Sequence, residues 1–340
     1  MKVGIVAGEK SGDYLGAELI RAIKKEFPNS EFVGLAGPQM QAQGARSLAE
    51  MDKISIMGIA AALKGLFEII SIRRKIAKHM LEWKPDVFIG IDVPDFNLGL
   101  EIKLKKAGLT TVHYVSPTVW AWRSKRIVKI KRAIHLMLTL FPFEKDFYLS
   151  HKTRVEYVGH PLAHEVKNWQ LSDKAKSAIG EDALSHPKII ALLPGSRTSE
   201  VTKLAPIMLE AARELQQKFP DLGFVLPAAN PKLEVILNNM IEAQESPVRL
   251  VSGYSRDVLG CCNLAVLASG TAALEAALFS KPMVVMYKVA KLEEWCASRT
   301  MIVEHFSMPN HLTNPPVVPE LIQENATVSN LVSEVVSTWR

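Results

Sequence analysis

One stretch constrains the chain more than any other. Ile189 to Leu193 is an unbroken run of five apolar residues, the pattern of a parallel strand buried on both faces. Pro194-Gly195 stops it. Ser196, Thr198 and Ser199 are helix-capping residue types, and Glu200 opens an amphipathic segment that continues to Leu215. The order is strand, tight turn, helix. Backbone N–H groups at such a helix start attract anions, and the dipole favours negative charge there. Arg197 stands in the turn, either as a plain surface arginine or as a fork that grips a phosphate with two parallel hydrogen bonds. The turn is neither a Walker loop, since no Gly-Lys-Ser/Thr follows, nor the Gly-x-Gly-x-x-Gly dinucleotide fingerprint.

The same order opens the chain. Lys2 to Ala7 reads as a strand, Gly8-Glu9-Lys10-Ser11-Gly12-Asp13 as its turn, and Leu15 to Phe27 as an amphipathic helix. Ligands of parallel α/β sheets sit at the carboxyl ends of strands, where such turns cluster. Two readings stand side by side here. Ser11 or Asp13 caps the helix, or Glu9, Ser11 and Asp13 line a cleft and hold substrate hydroxyls. Because the N-terminus enters a strand directly, no signal peptide is expected.

Val87 to Ile91 is a further buried strand, and Asp92 falls at its carboxyl end, where side chains point into a ligand crevice. Pro94 blocks continuation of the strand. A carboxylate fixed there can take a proton from an attacking hydroxyl. We assign Asp92 as that base and Asp95 as the cap or orienting residue of the helix beginning near Asn97, with the reverse assignment as the alternative. Further strands are expected at 31–35, 111–115, 136–141 and 155–158. In the second half they fall at 224–227, 248–251, 264–268 and 282–287, with a terminal helix over 331–339. Leu264 to Ala268 opens into Ser269-Gly270-Thr271. Either Ser269 and Thr271 are simple caps, or the small residues admit a ligand to the helix start and Glu275, one turn on, accepts the hydroxyls of a ribose. Gly159-His160-Pro161 marks the junction of two domains, 1–160 and 161–340. His160 bonds backbone there or touches a ligand phosphate.

Formal net charge is +6 over 340 residues, which favours anionic partners. Arg123 to Arg132 crowds basic residues beside Trp120 and Trp122, yet no RNP pattern, zinc knuckle or basic arm accompanies them, so nucleic acid is not expected. Cys261, Cys262 and Cys296 have no metal-ligand spacing and read as small apolar residues of a reducing cytosol. The uncharged run from Val258 to Leu274 is broken by Gly, Asn, Ser and Thr, and reads as strand-turn-helix rather than a membrane span. Ile54 to Ile72 is very apolar and leads into Arg73, Arg74, Lys75, Lys78 and His79. From Arg73 onward this is an ordinary amphipathic helix. For Leu63, Leu66, Phe67 and Ile70 the reading is contact with a membrane interface, against a core stripe as the alternative.

With these residues in place, the chain resembles the lipid A disaccharide synthases, GT-B-fold inverting glycosyltransferases of family 19. The resemblance is carried by Gly8-Glu9-Lys10-Ser11-Gly12-Asp13, Gly90-Ile91-Asp92-Val93-Pro94-Asp95-Phe96-Asn97, His113-Tyr114-Val115-Ser116-Pro117, Trp120-Ala121-Trp122-Arg123, Phe141-Pro142-Phe143-Glu144, Leu193-Pro194-Gly195-Ser196-Arg197 and Ser269 to Glu275. Their order and spacing, rather than any one of them, make it specific. It implies two Rossmann-like α/β domains with parallel sheets facing across a cleft, the first binding acceptor and membrane, the second the UDP-sugar. The implied reaction transfers the sugar of UDP-2,3-diacylglucosamine to the 6-hydroxyl of 2,3-diacylglucosamine 1-phosphate, giving a β-1′,6-linked disaccharide 1-phosphate and UDP. By the same resemblance Asp92 is the base, Ser196 and Arg197 grip the diphosphate, Ser269, Gly270, Thr271 and Glu275 hold the nucleotide, and Asn310 lies near the cleft, with Asp95 and Asn97 as further candidate acceptor or cleft residues. No metal or cofactor is expected. The implied setting is cytoplasmic, peripheral on the inner membrane, with a homodimer possible. The loop Asn310 to Pro316 lacks the basic residue usual in the family after Pro-Asn, and family chains run on past the point equivalent to Arg340. The rival expectations are a UDP-sugar 2-epimerase of related fold and an inactive homologue that only binds UDP-sugar or lipid.

Overall fold

The computed structural model describes residues 1–51, 62–120, 124–288 and 305–339, with the side chains of 62–66 outside that description. The chain divides into two compact units, Met1–Pro161 and Leu162–Arg340, against the expected division at 160/161.

The first unit is a seven-stranded parallel sheet. Its strands are β1 (Lys2–Ala7), β2 (Glu31–Leu35), β3 (Ala45–Ser47), β4 (Val87–Ile91), β5 (Thr111–Tyr114), β6 (Leu136–Thr139) and β7 (Val155–Tyr157), in the spatial order β3-β2-β1-β4-β5-β6-β7. The order reverses between β1 and β4, which pair in register from Val3↔Val87 to Ala7↔Ile91. Both strands therefore end at the same level. Apolar side chains alternate to the two faces: Val3, Ile5 and Ala7 pack under the helix Lys10–Glu26, while Val6 and Phe88 pack under the helix Ala62–Trp83.

The helix after β1 starts at Lys10, five residues before the expected Leu15, because Asp13 N–H already reaches Glu9 C=O at 2.9 Å. It lies unusually close to its neighbours. A Cβ on Gly16 would stand 2.6 Å from Met40 Sδ and 3.0 Å from Ile91 Cδ1, so only glycine leaves room there.

The second unit is a six-stranded parallel sheet. It consists of β8 (Lys188–Leu193), β9 (Leu222–Ala228), β10 (Val248–Ser252), β11 (Leu264–Ala268), β12 (Met283–Tyr287) and β13 (Glu320–Ile322), ordered β10-β9-β8-β11-β12-β13. Here the order reverses between β8 and β11, paired from Leu264↔Ile190 to Leu267↔Leu193. Ile190, Leu192, Leu226 and Val266 feed one core layer beneath the helix Thr198–Lys218, and Ile189, Ala191, Val225 and Leu267 feed the other.

β3 and β13 were not expected; each is a three-residue edge strand. β6 ends at Thr139, short of Phe141, because Phe141 is already the N-cap of the helix Pro142–Ser150. Cys262 is buried among apolar side chains and burial pushes its thiol up to about 11; Cys261 is half-buried. Cys296 lies outside the described residues, as do Ala121, Trp122 and Arg123.

Candidate active site

Each sheet has one topological switch point, and the sequence turns of interest lie at these two places. In the first unit they follow β1 and β4. Asp92 and Val93 both take left-handed backbone conformations, with φ of 51° and 42°. Non-glycine residues in that region cost on the order of 1–3 kcal/mol each and persist only where surrounding structure fixes them. The fixing is visible. Asp92 N–H donates to Tyr114 C=O at 2.9 Å. Asn97, fully buried, donates its amide to Asp92 C=O at 2.8 Å and to Ile91 C=O at 3.2 Å. Asn97 therefore braces the turn from below and is not a side chain of the crevice, which corrects its expected place.

Asp92 itself is half-exposed and lines a cavity of about 390 Å³ with Pro94, Ser116, Thr118 and Arg126. The helix beyond it runs Pro94–Lys106, with Val93 as N-cap and no capping side chain. Asp95 is thus no cap. Its carboxylate pairs with Arg126 at 2.5 Å on the same cavity wall. Deeper in the unit, His113 and Glu101 form a fully buried pair at 2.7 Å, where burial raises the Glu101 carboxyl. Behind the cavity loop, Ser116 Oγ bonds Tyr148 Oη at 2.8 Å, and buried Glu144 accepts from Trp120 Nε1 at 3.2 Å and from Phe141 N–H at 3.1 Å.

At the β1 turn, Glu9 and Ser11 are exposed. Asp13 is only 2% exposed, and its two oxygens accept the backbone N–H groups of Gln39 and Met40 at 2.9 and 3.0 Å. It caps the helix Pro38–Ala42 rather than its own helix or a substrate. Both expectations for Asp13 are thereby corrected.

In the second unit the turn after β8 is sharp because Gly195 adopts φ 112°, which only glycine tolerates without strain. Arg197 is the N-cap of the helix Thr198–Lys218, and no Ser or Thr side chain caps it. Glu200 does that work. Its Oε2 accepts the N–H groups of Ser196 and Arg197 at 3.1 and 3.3 Å, and its Oε1 accepts from Arg197 Nη1 at 3.1 Å. An anion therefore already occupies the donors expected to bind phosphate, and it belongs to the chain.

After β11, Gly270 is the N-cap of the helix Thr271–Leu278, again without a capping side chain. Ser269 Oγ instead donates to Phe306 C=O at 2.6 Å, and Thr271 is exposed. Glu275 Oε1 accepts from Arg256 Nε at 3.0 Å, and Arg256 Nη1 donates to Glu165 Oε2 at 2.9 Å. Asn310 is buried and fully engaged. Its amide donates to Val318 C=O and to Glu320 Oε1, both at 2.8 Å, and its oxygen accepts from Val317 and Val318 N–H, both at 2.9 Å. It organises the loop leading into β13, so the side chain expected near the cleft is committed to its own loop. Burial works against the Glu320 charge. The N–H groups of Phe306 and Ser307, the Ser307 hydroxyl and Asn310 outweigh it, and the carboxyl is held below its usual range.

Arg256, Glu165, Glu320 and the Glu200 carboxylate were missed from sequence. Only Glu200 carried a signal, an acidic residue at the third helical position, where such side chains reach back to the helix start.

In the helix Ala62–Trp83, Ile72, Ile76, Ala77 and Met80 face the core while Arg74, Lys75 and Lys78 are exposed, so its second part is amphipathic as expected. Phe67 is 74% exposed and Ile70 half-exposed; the side chains of Leu63 and Leu66 lie outside the described residues. Among the described residues no helix is long and apolar enough to cross a membrane. Nor do those residues group His, Cys, Asp and Glu side chains as metal ligands.

Residues 3–338 match the model of the lipid-A-disaccharide synthetase family. The lipid-A-disaccharide synthase of Pseudomonas putida is 44% identical over 331 residues, covering 97% of this chain and 88% of that protein. That of Azotobacter vinelandii is 44% identical over 339 residues, covering 99% and 89%. Among solved structures, the UDP-GlcNAc 2-epimerase of Neisseria meningitidis bound to UDP-GlcNAc superposes with a TM-score of 0.67 at 14% identity, covering 99% of this chain and 91% of that one. The glycosyltransferase of kitacinnamycin gives 0.66 at 13%, covering 99% and 90%. At such identities the likeness shows the fold alone, two Rossmann-like α/β units of the GT-B class, and the epimerase expectation gains nothing further from it. The sequence relatives decide the rest: the chain belongs to the lipid-A-disaccharide synthetase family.

Proposed function

We propose that this chain transfers the sugar of UDP-2,3-diacylglucosamine to the 6-hydroxyl of 2,3-diacylglucosamine 1-phosphate. The observation that carries the reading is Asp92, a carboxylate held on a braced, left-handed turn at the first switch point and open to a cavity. Asp92 accepts the proton of the acceptor hydroxyl as its oxygen attacks the anomeric carbon of the donor. The bond from that carbon to the diphosphate oxygen breaks, UDP leaves with the electron pair, and the configuration inverts. Charge grows on the leaving diphosphate. Arg197, the turn N–H groups and the helix start beyond them oppose it, once the diphosphate has displaced the Glu200 carboxylate from the same donors. Glu275 takes the ribose hydroxyls, with Ser269, Gly270 and Thr271 at the entrance. Arg126, on the cavity wall beside Asp92, is placed to meet an anionic acceptor.

The acylated substrates bring the protein to a lipid surface as a peripheral protein on the cytoplasmic face of the inner membrane. Exposed Phe67 and half-exposed Ile70, next to Arg74, Lys75 and Lys78, support this, since an apolar face beside cations suits an anionic interface. The test is an assay with both acylated substrates and product mass as readout. A disaccharide 1-phosphate with release of UDP is expected. Binding of UDP-sugar without product would leave an inactive homologue.

A further inference from the structure

We infer that Arg256 is a positioning residue that fixes the Glu275 carboxylate for recognition of the ribose diol, and so sets the preference for a ribonucleotide donor. The inference rests on the assignment of Glu275 to the ribose.

Arg256 enters its helix, Ser255–Cys261, through two successive left-handed residues, Gly253 at φ 77° and Tyr254 at φ 58°. The helix is clamped from outside. The Trp169 ring lies over Gly260, where a Cβ would come within 2.3 Å of it, and Trp169 Nε1 donates to Asp257 Oδ1 at 3.4 Å. Phe279 meets that ring edge-on at 5.3 Å. From this fixed base the guanidinium reaches two carboxylates on separate segments, Glu275 at 3.0 Å and Glu165 at 2.9 Å. Arg256 and Glu275 stand just beyond the carboxyl ends of β10 and β11, the edge of the sheet where ligands bind.

Arg256 and Glu165 are each 39% exposed, so the ion pair between them contributes little to stability, and among the described residues these three groups together carry one excess negative charge. That is a poor arrangement beside a site for a diphosphate unless the carboxylate is needed by hydrogen-bond donors. A vicinal diol supplies two such donors. The Glu275 side chain is 13% exposed, so it is accessible yet partly desolvated. With Oε1 engaged by Arg256 Nε at 3.0 Å, rotation of the carboxylate is restrained while Oε2 keeps its capacity to accept. Losing Arg256 frees that rotation, and the bonds to the diol are then made at the cost of ordering the side chain.

The test compares the affinity of the full chain for UDP and for its analogue lacking the 2′-hydroxyl. Wild type is expected to prefer UDP by roughly 10–100-fold, since a site built for a hydroxyl rejects the analogue without it. Glu275→Gln should reduce the preference to about threefold or less, and Arg256→Ala should reduce it by at least about fivefold, with Arg256→Lys between wild type and Arg256→Ala. A purely structural role for Arg256 would weaken both nucleotides alike and leave their ratio unchanged. If Glu275→Gln removes the preference and both Arg256 variants keep it, the role of Arg256 is overturned and that of Glu275 stands. If wild type shows no preference, or Glu275→Gln retains it, the ribose assignment falls and this inference with it. Should Arg256→Ala fail to fold, the Arg256→Lys ratio decides.

Discussion

Replacing Arg197 by alanine tests the donor half of the site. The side chain is 79% exposed and, among the described residues, pairs with Glu200, itself 24% exposed. Such a pair contributes at most about 1 kcal/mol to folding. Glu200 would also keep its two backbone donors in the variant. The fold should therefore survive, with a melting temperature within a few degrees of wild type. Turnover should not survive in the same way. A cation aimed at a developing oxyanion is worth about 2–4 kcal/mol in the transition state, which corresponds to roughly a 30–1,000-fold loss of rate. Most of the loss should lie in kcat, because the charge that Arg197 meets is greatest as the diphosphate departs. The assay is steady-state disaccharide formation with both acylated substrates, accompanied by calorimetric UDP binding and a thermal melt. A folded variant that turns over within a few-fold of wild type would refute the placing of the diphosphate at this turn.

Two further predictions concern pH and membrane. Burial pushes the Glu144 carboxyl from the usual 4.5 up to about 7. The folded protein then binds this proton more tightly than the unfolded chain, so stability from this group is greatest at low pH and declines as pH rises from about 4.5 to 7. The decline is on the order of 3 kcal/mol. Melting curves of Glu144→Gln should be flatter across that window, and an unchanged slope would show that another group titrates there. Phe67→Ser should lower partitioning onto anionic vesicles while changing stability by no more than about 0.5 kcal/mol; unaltered partitioning would remove Phe67 from the lipid contact.

Much of this architecture was legible in the chain because parallel strands buried on both faces leave continuous apolar runs. The runs at 87–91, 189–193 and 264–268 end in Asp, Pro-Gly and Ser-Gly, and each lies at a switch point of its sheet. β3 and β13 were not legible: three residues are too few to show a period. The site was less legible than the fold for a physical reason. A polar residue in a turn has the same letter whether it faces solvent or folds back onto the chain. Asp13 folds back because unpaired amides of Gln39 and Met40 lie above it, and Asn310 because the loop before β13 closes around it. Arg256 was hidden because its partner Glu165 is 91 residues away. The positions of Asp92 and Arg197 were legible because Asp92 directly follows β4 and Arg197 lies in the short turn after β8, so chain connectivity alone places them at the ends of the sheets.

The most direct measurement is the turnover of Asp92→Asn set beside its affinity for UDP. The amide preserves shape and backbone but cannot take up a proton at neutral pH. Disaccharide formation is expected to fall to background while UDP binds as in wild type. Turnover like that of wild type would contradict the account, because the acceptor hydroxyl would then be losing its proton to some other group.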